Sequence, residues 1–200
     1  MSETGAAGEK WRTFVAIDLP ADVRRALSGL RFQMSQQEAD PVRWLRPEGI
    51  HLTLSFLGDV DVALIPAISE RLSDAAAKSG PFALRLANVG AFPSLRRPRV
   101  FWVGLSGETD RLRLLHSRVQ GALSQVGFAP ERRRFDPHLT VGRIRQDSRP
   151  EDPRLAGEAF GRVTAPDPAP PIPVDAIMLF RSHLRPAGAE YERLHEAPLG

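Results

Sequence analysis

Cysteine is absent from the 200 residues, which excludes disulfides, thiolate catalysis and cysteine-based zinc sites together. Lysine is almost absent as well: only Lys10 and Lys78 occur, so arginine carries nearly all the positive charge. Guanidinium stays protonated up to about pH 12, so a net charge of only +3 lifts the isoelectric point to ≈ 10.1. Long apolar runs are missing too. No segment approaches the roughly 18–20 residues that a membrane helix needs, and the first ten residues are small and polar, unlike a secretory signal. They are expected to form a disordered tail over 1–10. A cytoplasmic address, no membrane partner and a monomeric state are the default expectations.

What is present is an ordinary apolar fraction, 42%, enough for one substantial core or two small lobes sharing one. Arginines cluster at Arg96, Arg97 and Arg99, at Arg132, Arg133 and Arg134, and at Arg143, Arg145 and Arg149. Any one cluster is accounted for by a solvated face. Arginine nevertheless suits bidentate contacts to phosphate better than lysine does, and the clusters together permit an anionic ligand.

The segment Thr13-Phe14-Val15-Ala16-Ile17-Asp18 is short and β-rich, and Leu19-Pro20 stops it, so a strand is expected. From Pro20 to Gln37, Val23, Ala26, Leu27, Leu30 and Met34 recur at helical spacing, with Asp22 placed to suit the positive end of a helix. After a loop holding Pro41 and Pro47, the run Ile50 to Gly58 alternates as a strand, with His51, Thr53 and Ser55 on one face and Leu52, Leu54 and Phe56 on the other. A helix over Asp61 to Lys78 and a strand over Phe82 to Val89 follow.

The pattern then starts again. Val100 to Leu105 reads as a strand, and Asp110 to Val126 as a helix burying Leu112, Leu115, Val119, Ala122 and Leu123. Pro137 to Ile144 reads as a strand. Phe14 to His51 spans 37 positions, and so does Phe101 to His138, so a strand–helix–strand unit repeats with an offset of 87 and ends each time in His-Leu-Thr. The repeats cover approximately 13–90 and 100–181, within one domain over 11–200. Gln146 to Pro173, rich in proline and charge, is expected to be mostly loop. Strands are expected at Val174 to Arg181 and Tyr191 to Leu199.

On a strand, residues i and i+2 share a face, which sets the imidazole and hydroxyl of one His-x-Thr about 7 Å apart. One such pair carries little information. Two pairs related by a duplication can face each other across a cleft, presenting two imidazoles and two hydroxyls to one ligand. Opening a phosphodiester needs a base for water, an acid for the departing oxygen and donors for the non-bridging oxygens. Histidine serves either proton role, because its reference pKa of about 6.5 leaves both forms accessible near neutrality.

A metal site is the competing chemistry. Asp136, two residues before His138, is the best additional ligand, but Gly49 stands at the matching place in the first repeat, and no ligand set is completed. Ser55 invites a nucleophile reading, yet no nucleophile-elbow sequence surrounds it. His116, His183 and His195 have no motif partner and receive no role.

His51-Leu52-Thr53-Leu54 and His138-Leu139-Thr140-Val141 resemble the paired His-x-Thr-x motifs of the two-histidine (2H) phosphoesterase superfamily. The stretches Phe14 to Pro20 and His51 to Gly58 resemble its branch of RNA 2′,3′-cyclic phosphodiesterases, historically called 2′–5′ RNA ligases, and the likeness runs from about Trp11 to Leu199. The resemblance implies an α+β, bilobal fold with antiparallel sheets around a central cleft. It implies no metal or other cofactor, and hydrolysis of a terminal 2′,3′-cyclic phosphate to a 2′-phosphate, with 2′–5′ ligation at most a weak side activity. The implied partners are RNA ends or nucleotides bearing that group. His51 is implied as the proton donor and His138 as the proton acceptor, with Thr53 and Thr140 on the phosphate oxygens and Arg143 on the nucleotide. Phe56 is expected in the core, from its alternation with Leu54. A binding module of the same fold without turnover is the alternative.

Overall fold

The computed structural model describes residues 8–34, 41–131, 133–167, 169–185 and 188–200. Residues 1–7 of the expected tail, the helix end expected at Gln37, the Met34 side chain and Arg132 lie outside them. Lys10, expected in the tail, instead opens the first strand, and the Glu9 carbonyl before it accepts from the Val62 amide at 2.9 Å.

The first repeat supplies β1 (Lys10–Ile17), α1 (Ala21–Met34), a short β2 (Val42–Trp44), β3 (Leu52–Asp61), α2 (Ile65–Ala76) and β4 (Phe82–Phe92). The second supplies β5 (Val100–Gly107), α3 (Thr109–Ser124), β6 (His138–Ile144), α4 (Asp152–Phe160), β7 (Ile172–Val174), β8 (Ala176–Arg185) and β9 (Gly188–Pro198). The helices form where the apolar spacing places them. Val23, Leu27 and Leu30 of α1 are buried, as are Leu112, Leu115, Val119, Ala122 and Leu123 of α3. Asp22 accepts from the Val23 amide at 2.8 Å in the first turn of α1, where the helix dipole favours an anion.

All strand pairings are antiparallel, and the strands form one sheet in the order β7-β4-β5-β6-β3-β1-β8-β9, with β2 beside β6. The two halves are therefore parts of a continuous sheet rather than separate sheets. They join where β3 meets β6 at a single register pair, Leu52↔Leu139, and both leucines are fully buried. The repeats do not each build their own half. β4, which closes the first repeat, pairs with β5 of the second, and β8, which closes the second, pairs with β1 of the first. Each exchange covers a strand edge that would otherwise stay open.

Helix α4 is a departure from the loop expected over Gln146 to Pro173. Pro153 falls at its start, where the missing N–H costs nothing, and Phe160 anchors it in the core, 4.7 Å from the Phe101 ring. Gly157 and Gly161 weaken its helical signal in the sequence. Gly157 is required by packing: a Cβ there would lie 1.8 Å from the Leu95 carbonyl oxygen. The main core is continuous across both halves, and a smaller cluster of Phe14, Ala16, Ala176, Met178 and Phe180, with Tyr191 against it, lies behind the first motif.

Candidate active site

Because β3 and β6 pair only at Leu52↔Leu139 among the described residues, the histidine preceding each leucine is brought to the junction of the two halves. The cleft formed there has a volume of about 520 Å³, and His51, Thr53, His138, Thr140 and Arg143 all line it. The sequence-derived residues thus come together. Neither threonine hydroxyl has a protein partner among the described residues, so both are free to meet a ligand.

Each imidazole has a backbone neighbour two residues earlier in the chain. Nδ1 of His138 donates to the Asp136 carbonyl at 2.7 Å, taking the proton-bearing tautomer at that nitrogen. The His51 ring is hydrogen-bonded by the carbonyl of Gly49, the residue at the same place in the first repeat. A carbonyl can only accept, so Nδ1 of His138 keeps its proton and its Nε2 is left to exchange one. Asp136 therefore contributes its backbone to His138, not a carboxylate ligand. Among the described residues no group of three or more histidine, aspartate or glutamate side chains is placed to hold a metal ion.

The surroundings of the two rings differ. His51 stacks on Phe14 at 4.6 Å and meets the Tyr191 ring edge-on at 5.0 Å, with Phe180 at 6.4 Å. Burial among these rings pushes its pKa down to about 4, opposed by the Gly49 carbonyl and by Asp18, and aided by Arg24. Asp18 and Arg24 form an ion pair, and Arg193 lies 3.8 Å from Asp18. His138 meets only the edge of Phe92 at 4.9 Å and the more distant Trp102 at 6.4 Å. Burial likewise raises the Tyr191 hydroxyl above its ordinary pKa, with Arg143 and Arg12 acting against it.

Phe56 is a correction to the expected alternation. It is 66% exposed and lines the cleft. The register explains this: Val15 pairs with Ser55 and Ala16 with Thr53, so Leu54 is an extra residue, a bulge. A bulge reverses the facing of everything beyond it, turning Ser55 inward, where it is 4% exposed, and Phe56 outward. Ser55 is thus removed from the cleft. The second repeat carries the same device: Phe101 pairs with Gly142 and Trp102 with Thr140, leaving Val141 extra and turning Arg143 to the cleft. Phe56 and Arg143 are equivalent at the offset of 87. That equivalence is the signal that would have placed Phe56 correctly. Arg12 and Tyr191 also line the cleft, and no motif marked them. The remaining histidines lie elsewhere: His116 stacks on Phe135, His183 contacts Glu192, and His195 contacts Ser73.

Fold and cleft together define a duplicated two-histidine phosphoesterase. The family described as LigT like Phosphoesterase matches residues 17–102 and again 103–191, one match for each repeat. The chain belongs to this family. It is 34% identical over 187 residues to an RNA 2′,3′-cyclic phosphodiesterase of Geobacillus stearothermophilus; the match covers 93% of this chain but only 56% of that protein's length. It is 32% identical to the protein of the same name from Thermotoga maritima, with 92% and 94% of the two chains covered. A solved structure from Thermus thermophilus superimposes with a TM-score of 0.71 at 28% identity, covering 94% of this chain and 97% of the other. No helix among the described residues is long and apolar enough to cross a membrane.

Proposed function

We propose that this chain hydrolyses RNA ends bearing a 2′,3′-cyclic phosphate to 2′-phosphates by acid–base catalysis between His138 and His51. Nε2 of His138 takes a proton from water, whose oxygen attacks phosphorus. The bond from phosphorus to O3′ breaks, and Nε2 of His51 delivers a proton to O3′. The products are a 2′-phosphomonoester and a free 3′-hydroxyl, and the two imidazoles have exchanged protonation states. The Thr53 and Thr140 hydroxyls donate to the non-bridging oxygens, and Arg143 supplies a guanidinium to the anion. The exposed Phe56 ring offers a face for the terminal base. A 5′-hydroxyl in place of water gives a 2′–5′ linkage by the same proton transfers. Water, being in vast excess, makes hydrolysis the main outcome.

One observation carries this reading: two histidines at equivalent places in the repeats line one cleft with two threonine hydroxyls that have no partner among the described residues. Burial makes His51 neutral at pH 7 in the free protein. Its service as acid therefore depends on the substrate, whose negative charge beside the ring raises its pKa.

The test is hydrolysis of a short RNA ending in a 2′,3′-cyclic phosphate, with EDTA present, by wild type, His51→Ala and His138→Ala. A 2′-phosphate product from wild type alone is expected. Unimpaired turnover by either variant removes the mechanism, and activity abolished by EDTA replaces it with a metal-dependent one. Tight binding without any product would favour a binding module.

A further inference from the structure

Beside the catalytic cleft lies a second pocket of about 240 Å³, between β2, β6 and β9, lined by Arg43, Arg46 and Arg143. Resting on the function proposed above, we propose that this pocket holds the phosphodiester preceding the terminal nucleotide, so that the protein grips RNA ends of two or more nucleotides in preference to a cyclic mononucleotide.

Three features of the pocket point to an anion. Arg43 and Arg143 are direct cross-strand partners in the β2–β6 ladder, between the pairs Val42↔Ile144 and Trp44↔Gly142. Residues opposed in an antiparallel ladder share a face, and like charges so placed repel. Second, among the described residues no carboxylate relieves the repulsion by an ion pair with Arg43, Arg46 or Arg143. Elsewhere on the surface Arg71 pairs with Asp74 and Arg113 with Asp110. Glu190, the one carboxylate lining the pocket among the described residues, is turned towards Arg185, 3.6 Å away. Third, the register holding the arginines opposite each other is enforced by packing. A Cβ at Gly142 would lie 2.7 Å from Val42 and 3.2 Å from the Trp44 ring, so β2 can approach β6 only because position 142 is glycine.

Position gives the anion its identity. The pocket shares Leu45, Gly49, Arg143, Ala189 and Tyr191 with the catalytic cleft, so it opens directly from the site of the cyclic phosphate. Arg143 faces both. A chain whose last nucleotide occupies the cleft can leave through this opening, and its next charged group is the linking phosphodiester. The pocket is poorly suited to a base: Trp44 is committed to the core face, packed against Phe101 and Phe160 at 6.5 and 6.3 Å.

The experiment compares kcat/KM for adenosine 2′,3′-cyclic phosphate and for the dinucleotide ApA ending in the same cyclic phosphate. It uses the full chain and its Arg43→Ala/Arg46→Ala double variant, whose two sites are exposed. Wild type is expected to favour the dinucleotide by about tenfold, the usual scale for a charge-assisted contact at an open site. The double variant should lose that preference through KM while cleaving the mononucleotide as wild type does. An uncharged methylphosphonate at the internal linkage should cost wild type the same preference. A preference that survives the double variant, or that survives the methylphosphonate, overturns the proposal. Equal kcat/KM for both substrates with wild type removes the proposal alone, whereas hydrolysis of neither removes the functional reading and the proposal with it.

Discussion

The first repeat leads its histidine into a box of three aromatic rings, one of them stacked on it, whereas the second leaves its histidine against the edge of Phe92, with Trp102 farther off and no stacked ring. The backbone treats the two alike. Each ring is tied to the carbonyl two residues before it, and each strand bulges at the residue after the threonine. Each bulge aims the fifth residue past the histidine at the cleft, as Phe56 on one side and Arg143 on the other. Duplication therefore supplied symmetric geometry, and side-chain differences made the halves chemically unlike. One side offers an apolar face and a histidine that resists charge; the other offers a cation and a more open histidine.

The severest way to break this comparison is to remove the histidines. His51→Ala and His138→Ala should each lower the rate of cyclic phosphate hydrolysis by about 10²–10⁴-fold. The double variant should be little worse than the poorer single one, because the two act as a unit. Losses that multiply would mean the two rings work independently.

Next in size is the pH behaviour of the fold. Burial holds His51 at about 4 in the folded chain, against an ordinary value of 6.5. The neutral ring is the favoured form in the fold, so its stabilisation is complete above pH 6.5 and is lost as pH falls towards 4. The size is roughly 3 kcal/mol, at about 1.4 kcal/mol per pKa unit. Denaturant unfolding at pH 7 and pH 4 should show that loss in wild type. A His51→Phe variant, which cannot charge, should lose less by about that amount. Identical pH dependence in the two proteins would show that the aromatic box does not set the His51 titration.

Smaller effects separate the residues at the two bulges. Arg143→Ala should raise KM and lower kcat/KM by about 10–100-fold, as for loss of a charge-assisted phosphate contact. The loss should shrink as salt screens the charge. Phe56→Ala should cost about 5–10-fold, the low end for base–aromatic stacking, and only for substrates carrying a base. A cyclic ribose phosphate without a base should be cleaved by this variant as by wild type. Equal losses on both substrates would remove the stacking role.

The parts of this arrangement written as periodicity were legible in the sequence. The offset of 87 marked the duplication, and alternation around His51 and His138 put each histidine and its threonine on one face. Features that break periodicity were not legible. The bulges at Leu54 and Val141 leave no residue signature, so strict alternation carried Phe56 to the wrong side. Helix α4 was hidden because Pro153, Gly157 and Gly161 lower local propensity, while Phe160 and the contact with Leu95 hold it through tertiary packing. The pairing of β4 with β5 and of β8 with β1 depends on contacts distant in sequence, which local patterns do not encode.

That exchange of strands bears on how the molecule comes into being. Thr13 pairs with Arg181 and Ala16 with Met178, so the strand beside the first motif, already paired with β3 on one edge, finds its second partner only in β8. The aromatic box around His51 needs Phe180 and Tyr191 as well. A nascent chain halted after the first repeat has one His-Leu-Thr but neither the neighbour that completes β1 nor the rings behind His51. Joining segments this far apart is entropically costly and slow. The surroundings of His51 thus form only once β8 and β9 have been made, and a truncated product that retains both motifs but lacks those strands lacks the second neighbour of β1 and two of the rings beside His51.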